Sequence, residues 1–451
     1  MKRNINILSI IMILGLANSC SLANAPSTST DDFAAVLLKK PIEGDSISFE
    51  EYSNNEFQLF LQNFNHFSAK FSEKYCLMNP NDENISISPL SVYMALSLAG
   101  RCTANNTQKE ILQALNLKEN EITTNIKTFY KLSNREYSEY TINNQKEVIS
   151  LEKITNSLWF DNDLQLNEDC LEDLCNNYYC YPYQVDFDGF NLLANQAIKE
   201  FVKEQTKGKI DNDFHLTEQT VMAIINTLYL KDIWNNEGLD LPFSNNQFEF
   251  ENANHQVFKT LLLQGDYKEG KVFETETFTH FYTSTYHNYK IKFIVPKDGY
   301  QLKEVFTQEN IEFVQSIQDY HLYDEILKER YYTRCLFPEF KAKCNKDLKT
   351  LLYQEFGIKD IFSPNKADFS HISEINQMYC DSLVHQTCLE VKKEGIEGAA
   401  VTILSNCESA EPDIHENIYQ DFIVDKAFGY ILCDPYDIPL FTGMITSLSK
   451  I

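Results

Sequence analysis

Residues 382–404 read SLVHQTCLEVKKEGIEGAAVTIL. A β-prone run leads into Glu394-Gly395, then into Gly398-Ala399-Ala400, and on into Val401-Thr402-Ile403-Leu404. The next stretch, SNCESAEPDIHEN (405–417), is polar and has the composition of a loop. Small side chains at Gly398, Ala399 and Ala400 cost little to bury, or to move between water and a protein interior. Residues alone allow two readings. The run is a plain hairpin with a long connection, or it is a loop in one state and a strand in another.

The chain around this stretch is mixed. Residues 55–75 carry apolar side chains at helical spacing and predict an amphipathic helix. A short strand over 84–89 ends at Pro89, with Ser91 expected to cap a helix through Leu98. Thr107…Glu110 reads as a capping box opening a second helix to Leu117. Strands are expected at 153–160 and 183–187, with helices at 167–179 and 192–205. Residues 220–231 (TVMAIINTLYLK) form a β-prone apolar run suited to a central strand buried on both faces. Short β-rich runs follow at 256–264, 271–276, 280–286 and 289–295. Helices are expected at 302–318 and 345–356, and strands at 383–392, 420–433 and 438–447. Helices early and strands late make an α+β pattern rather than βαβ repeats. There is no internal repeat.

With 451 residues, 43% of them hydrophobic, there is ample chain for a large core. Only 14 Gly and 12 Pro occur, scattered along the chain, so no linker divides it. The net charge of −26 argues against binding nucleic acid or anionic membrane. Lys2 and Arg3 followed by the apolar run Ile5 to Ala17 look like an export signal, too short to span a bilayer. Cys20 ends a loose lipoprotein-type box, while Ala23-Asn24-Ala25 offers plain cleavage instead. The expected division is 1–20 signal, 21–45 flexible lead and 46–451 folded domain, with the product exported: secreted, or held at a surface by a lipid on Cys20. Of 12 cysteines, 11 remain once Cys20 is set aside, so at least one is unpaired within a monomer. Cys170, Cys175 and Cys180 recur at a spacing of five, which is not a zinc spacing, and no metal is expected.

Signatures of catalysis do not turn up. The chain has no Gly-x-Ser-x-Gly elbow, His-Glu-x-x-His, phosphate loop or dinucleotide fingerprint. Eight blocks, in order, carry a resemblance instead: NISISPLSVYMALSLAG (84–100), ITNSLWF (154–160), VKEQTKGKI (202–210), INTLYLKDIW (225–234), FPEFK (337–341), LLYQEFGIKDIFS with ADFS (351–363, 367–370), VHQTCLEV (384–391) and KAFGYILCDPYDIPLFTGMI (426–445). Over about residues 55–448 the chain resembles the serpin family.

That resemblance implies an α+β serpin fold with three β-sheets, eight or nine helices and an exposed reactive-centre loop, here about 394–420. A serpin is not an enzyme. It offers the loop to a serine or cysteine peptidase, is cleaved while the acyl bond persists, and inserts the freed loop as a new strand. About ten residues gaining roughly 0.5–1.5 kcal/mol each would supply on the order of 5–15 kcal/mol, which rivals a domain's whole stability. By family counting from Gly395 the reactive bond is Ser409–Ala410. A loop about seven residues longer than usual shifts the alternatives to 411–416 or back to Leu404. The hinge comprises Lys393, Glu394, Gly395, Ile396, Glu397, Gly398, Ala399, Ala400 and Thr402. Ser88, Ser91, Asn226 and His385 match the polar cluster where strands part, and Trp234 matches the aromatic above it. Residues 105–117 contain only Lys109 as a basic residue, so neither heparin nor any cofactor is expected, and the protein is expected to act as a monomer. The family's usual residues are replaced at Lys393, Ile396, Lys199 and Ala427. The alternative function is a non-inhibitory serpin acting in carriage, storage or adhesion.

Overall fold

The computed structural model describes residues 35–42, 49–79, 84–140, 146–234, 240–317, 320, 329–374, 378–380, 383–397 and 416–448. All of them belong to one compact unit, Phe33–Ile451. The expected signal, Cys20, the hinge residues Gly398, Ala399, Ala400 and Thr402, and the bond Ser409–Ala410 lie outside the described residues.

In chain order the first elements are β1 (Val36–Leu37), α1 (Phe49–Ser53), α2 (Asn55–Met78), β2 (Ile85–Ile87), α3 (Pro89–Cys102), α4 (Asn105–Leu115) and α5 (Glu119–Leu132). Next come β3 (Asn134–Tyr140), β4 (Lys146–Asp161), α6 (Glu168–Tyr178), β5 (Cys180–Val185), α7 (Phe187–Gln205) and β6 (Met222–Ile233). A run of strands follows: β7 (Phe248–Glu251), β8 (Val257–Thr260), β9 (Leu263–Glu269), β10 (Phe273–Glu274), β11 (Phe278–Ser284) and β12 (Lys290–Pro296). Then come α8 (Leu302–Val305), α9 (Gln308–Ser316), β13 (Glu329–Phe337), β14 (Phe340–Asp347) and α10 (Lys349–Glu355). The chain closes with β15 (Val384–Lys392), β16 (Gly395–Ile396), β17 (Glu416–Ile423), β18 (Phe428–Cys433) and β19 (Pro439–Ile445).

Three sheets form among the described residues. The largest has fourteen strands, in the order β1-β5-β4-β6-β16-β15-β14-β2-β19-β18-β12-β11-β10, with β3 added on β4. Its two halves meet through one register pair, Lys343 opposite Ile85, where β14 touches β2. A three-stranded sheet, β17-β13-β9, and the hairpin β7-β8 complete the set. Ten α-helices surround them, so the α+β expectation with three sheets holds, with one or two more helices than expected.

The predicted helix over 55–75 is α2. Its Phe57, Phe60, Phe64, Phe67 and Phe71 recur at three- and four-residue steps and are all buried. Phe60, Phe64 and Phe67 each meet the ring of Tyr93 on α3 edge-on, 5.2–5.8 Å between centroids. Burial of each such side chain stabilises by roughly 1.5–3 kcal/mol.

Local details correct the sequence reading. The cap of α3 is Ser88, whose side chain accepts from the Ser91 N–H, with Pro89 in the first turn; Ser91 is the residue capped. Thr107 lies inside α4, which starts at Asn105 behind Ala104 without a side-chain cap. Glu110 is drawn away from any capping box because it accepts from the backbone N–H groups of Lys359 and Asp360, each at 2.8 Å. The helix expected over 302–318 breaks into α8 and α9, because Thr307 caps the second. Part of the lead is built in: Val36 and Leu37 pair with Gln184 and Tyr183, giving β5 an edge partner. Strand β3 shows no apolar alternation. Arg135 holds it instead, 2.6 Å from Glu152 and 2.5 Å from Asp434, both buried carboxylates.

Candidate functional site

Strands β6 and β15 are the two long strands at the centre of the large sheet, and among the described residues no ladder joins them directly. Each is fully paired on its outer edge: β6 with β4 from Met222 to Lys231, and β15 with β14 from Val384 to Val391. Between them sits only the two-residue β16. Gly395 pairs with Ile233 and Lys392, and Ile396 with Asp232 and Val391. Among the described residues the large sheet is therefore joined at one end of these two strands through β16 and not below it.

The hinge explains itself residue by residue. Lys393 and Glu394 turn the chain; the Lys393 N–H donates to Glu339 at 2.8 Å and its ammonium reaches Asp240 at 2.9 Å. Gly395 has φ +148°, and a Cβ there would strike the backbone carbonyl of Asp232, so no larger residue fits. Ile396, which departs from the family's usual small polar residue, is fully buried between the two strands. Glu397 then takes φ +74°, its N–H donating to the Glu390 carbonyl at 2.8 Å. Its carboxylate accepts from the Tyr229 hydroxyl and lies 3.6 Å from the Lys209 ammonium.

Charge is concentrated here. Burial pushes the Glu390 carboxyl up, but hydrogen bonds from Lys341, Lys392 and Lys209 outweigh it and hold the group down at about 2. Glu397 is shifted the other way, raised by burial against the pull of Tyr229 and Lys209. Below the hinge lies a cavity of about 20 Å³, room for one water, among Leu228, Leu230, Leu389, Ile396 and Phe441.

Trp234 stands above the gap. It is buried against Phe337 and its Nε1–H donates to the Lys392 carbonyl at 2.6 Å, tying β6 to the end of β15. The polar cluster lies lower. His385 accepts from the Ser88 N–H through Nε2 at 3.0 Å, and burial lowers its pKa to about 4. Ser88, Ser91 and His385 are thus brought together on the β15 side. Asn226 is not part of that set. Its side-chain amide donates across β4 to Asn156 at 2.5 Å, and its own Oδ1 is buried with no partner. The cluster is split by the gap, with an unpaired acceptor left at its edge.

Sequence reading missed Lys209, Tyr229, Glu339 and Glu390 as parts of this site. Lys209 and Glu390 are 181 positions apart, and no spacing rule links them. The one available signal was a lysine inside the block 202–210 and a glutamate inside the block 384–391.

The described geometry holds no candidate nucleophile with its base. What it provides is two long strands that, among the described residues, share no ladder along their facing edges, with the two-residue β16 seated between their ends. A family model described as Serpin (serine protease inhibitor) matches residues 62–448. Serpin A3-5 of Bos taurus is 28% identical over 391 residues, covering 85% of this chain and 88% of its own. Among solved structures, the thermophilic serpin tengpin in its native state superposes with a TM-score of 0.69 at 23% identity, covering 92% of this chain and all of its own. Human thyroxine-binding globulin in complex with its ligand superposes with a TM-score of 0.67 at 18% identity, covering 88% of this chain and all of its own.

Proposed function

The chain belongs to the serpin family, and from that premise we propose that it is an inhibitor that traps a serine or cysteine peptidase by inserting its cleaved loop between β6 and β15. The observation that carries this reading is the seating of Gly395 and Ile396 between two strands that, among the described residues, share no ladder of their own.

The slot also fits the loop that would enter it. Carried on residue by residue, the two registers of β16 bring Thr402 opposite Asn226 on β6 and His385 on β15. Ile396, Gly398, Ala400 and Thr402 would then face inward. The hydroxyl of Thr402 would arrive beside the unpartnered Oδ1 of Asn226, a buried acceptor whose neglect costs about 1–3 kcal/mol. The inserting strand thus completes both the ladder and the polar cluster.

In the proposed reaction the peptidase nucleophile attacks the Ser409 carbonyl. The bond to Ala410 breaks, Ala410 leaves as a protonated amine, and the acyl-enzyme is carried along as the loop inserts. The small residue at the bond suits an elastase-like or papain-like peptidase. The protein acts as bait rather than catalyst, as a monomer and without heparin or nucleic acid. The reading includes export by the amino-terminal signal, with Cys20 as a lipid site in the surface-held form.

The test is incubation with elastase-like, trypsin-like and papain-like enzymes. An SDS-stable complex with at least one of them is expected, with the cut mapped by mass spectrometry. Cleavage by all three with no complex would remove the inhibitory reading. That outcome belongs to a non-inhibitory serpin, a reading favoured by Lys393, whose ion pairs to Asp240 and Glu394 anchor the hinge turn. Such a protein would show no large rise in melting temperature after its loop is cut.

A further inference from the structure

Two packed helices, α3 and α6, meet through a pair of thiols. Cys102 is the last residue of α3, and Cys170 lies in the first turn of α6. Both side chains are buried, the two thiols are in hydrogen-bonding contact, and no disulfide joins them. One position earlier on α3, the Arg101 guanidinium pairs with Asp173, three residues further along α6. Consecutive residues of one helix therefore clasp two residues that share a face of the other, so helix packing, not a chance rotamer, brings the sulfurs face to face.

The two thiols are not equivalent. Cys170 is held below the ordinary thiol range, first by the hydrogen bond from Cys102 and also by the Arg101 guanidinium, against the effect of burial. It lies at a helix start, where thiolates are favoured. Cys102 is pushed upward by the same hydrogen bond and by burial. One sulfur is suited to attack and the other to resolve.

The two helices are tied to the sheet differently. α6 is the crossover between β4 and β5, so it travels with β5-β4-β6. α3 follows directly on β2, which pairs with β14 and β19. α3 packs against β6 as well as β19, so a widening of the gap between β6 and β15 would slide β6, with β4 and α6, across α3.

We propose that Cys102 and Cys170 are a redox-sensitive pair that closes to a disulfide by exchange with a low-molecular-weight or protein disulfide, and that the closed bond locks the two sides of the sheet together. The Cys170 thiolate attacks the donor RSSR, giving Cys170–S–SR and RS⁻. Cys102 then loses its proton and attacks the Cys170 sulfur, expelling the second RS⁻, which takes up that proton. In sum, two cysteine thiols are oxidised by two electrons and RSSR is reduced to two RSH. Because both sulfurs are buried, exchange takes place as the chain folds or when α6 lifts locally. The lock rests on the loop-insertion reading, whereas the formation of the bond does not.

The test uses the full chain, refolded once in an oxidised/reduced glutathione buffer and once in excess dithiol reductant. Thiols are then alkylated under denaturing conditions and the peptides are mapped. A Cys102–Cys170 cross-link is expected in the oxidised sample. It should be absent from Cys102→Ala and Cys170→Ala and kept in Cys180→Ala, whose buried thiol lies near both. No bond, or a bond through Cys180, overturns the pair. Both forms are next nicked in the loop and their heat resistance is followed over time. The oxidised form is expected to acquire it at least about tenfold more slowly. Equal rates would overturn the lock while leaving the mapped bond standing. A reduced form that never gains heat resistance would overturn the lock together with the insertion reading, and the peptide map would still decide the pair.

Discussion

The indole Nε1–H of Trp234 reaches the main-chain carbonyl of Lys392 at 2.6 Å, a side-chain bond between the end of β6 and the end of β15. Trp234→Phe keeps an aromatic ring against Phe337 and removes the donor. Because the indole is buried, the expected loss is about 1–2 kcal/mol, read from the urea midpoint. An unchanged midpoint would mean that the indole N–H does not help hold the top of the gap.

Gly395 is a second control point. Its positive φ and its approach to the Asp232 carbonyl leave no room for a methyl group. Gly395→Ala is expected to unseat β16 at a cost of at least about 1–3 kcal/mol. Limited proteolysis should then cut at 393–397 faster than in the parent, with cleavage elsewhere unaltered. If the cutting rate at the hinge stays the same, the seat is not set by this glycine.

Much of this was legible in the sequence, and the parts that were not share a cause. Strand β6 was plain because it is a long, mostly apolar and β-prone run, and α2 because five phenylalanines keep helical spacing. The tight turn at Gly395 could be read from its Glu-Gly pair, and the structure gives that glycine a positive φ. Strand β3 was not, because Arg135 with Glu152 and Asp434 replaces the apolar alternation that marks a strand, and Asp434 comes 299 positions later. The same holds for Lys209 and Glu390, which are partners only once the sheet exists. The capping box at Thr107 failed because Glu110 had a tertiary partner. Local chemistry that is satisfied locally could be read; polar pairs made by topology could not.

His385 makes the folded chain sensitive to acid. Burial lowers its pKa to about 4, against about 6.5 in an unfolded chain. On acidification the unfolded chain takes up a proton that the folded one refuses, and a protonated Nε2 cannot accept from the Ser88 N–H. The stabilisation is therefore complete above pH 6.5 and is lost as pH falls towards 4, amounting to about 3 kcal/mol by pH 4. His385→Gln keeps an acceptor and removes the titration. The difference in unfolding free energy between the parent and the variant should change by about that amount between pH 7 and pH 4. His280, lowered to about 3, and Glu152, raised to about 7, titrate in both proteins and cancel in the difference. Parallel pH curves would rule out His385 as the sensitive group.

Lys209 separates two accounts of how the hinge stays seated. Its ammonium lies 3.1 Å from Glu390 and 3.6 Å from Glu397, on opposite sides of β16 in the chain. Removing it leaves Glu390 with Lys341 and Lys392, so that carboxylate remains paired. Glu397 is left with the Tyr229 hydroxyl and the charge of Lys231, in surroundings that already disfavour its own charge. Lys209→Met is therefore expected to act through Glu397, costing about 1–2 kcal/mol, since the ammonium is about a quarter exposed and screening reduces the full buried-pair value. The Ile396 amide, which belongs to the seated strand, should exchange with solvent faster. Glu397→Gln removes the stranded charge, so Lys209→Met added to it should cost little more than Glu397→Gln alone. Additive losses in that double-mutant cycle would instead place the effect of Lys209 on Glu390, and the hinge would be held by packing of Ile396 rather than by the charge that follows it.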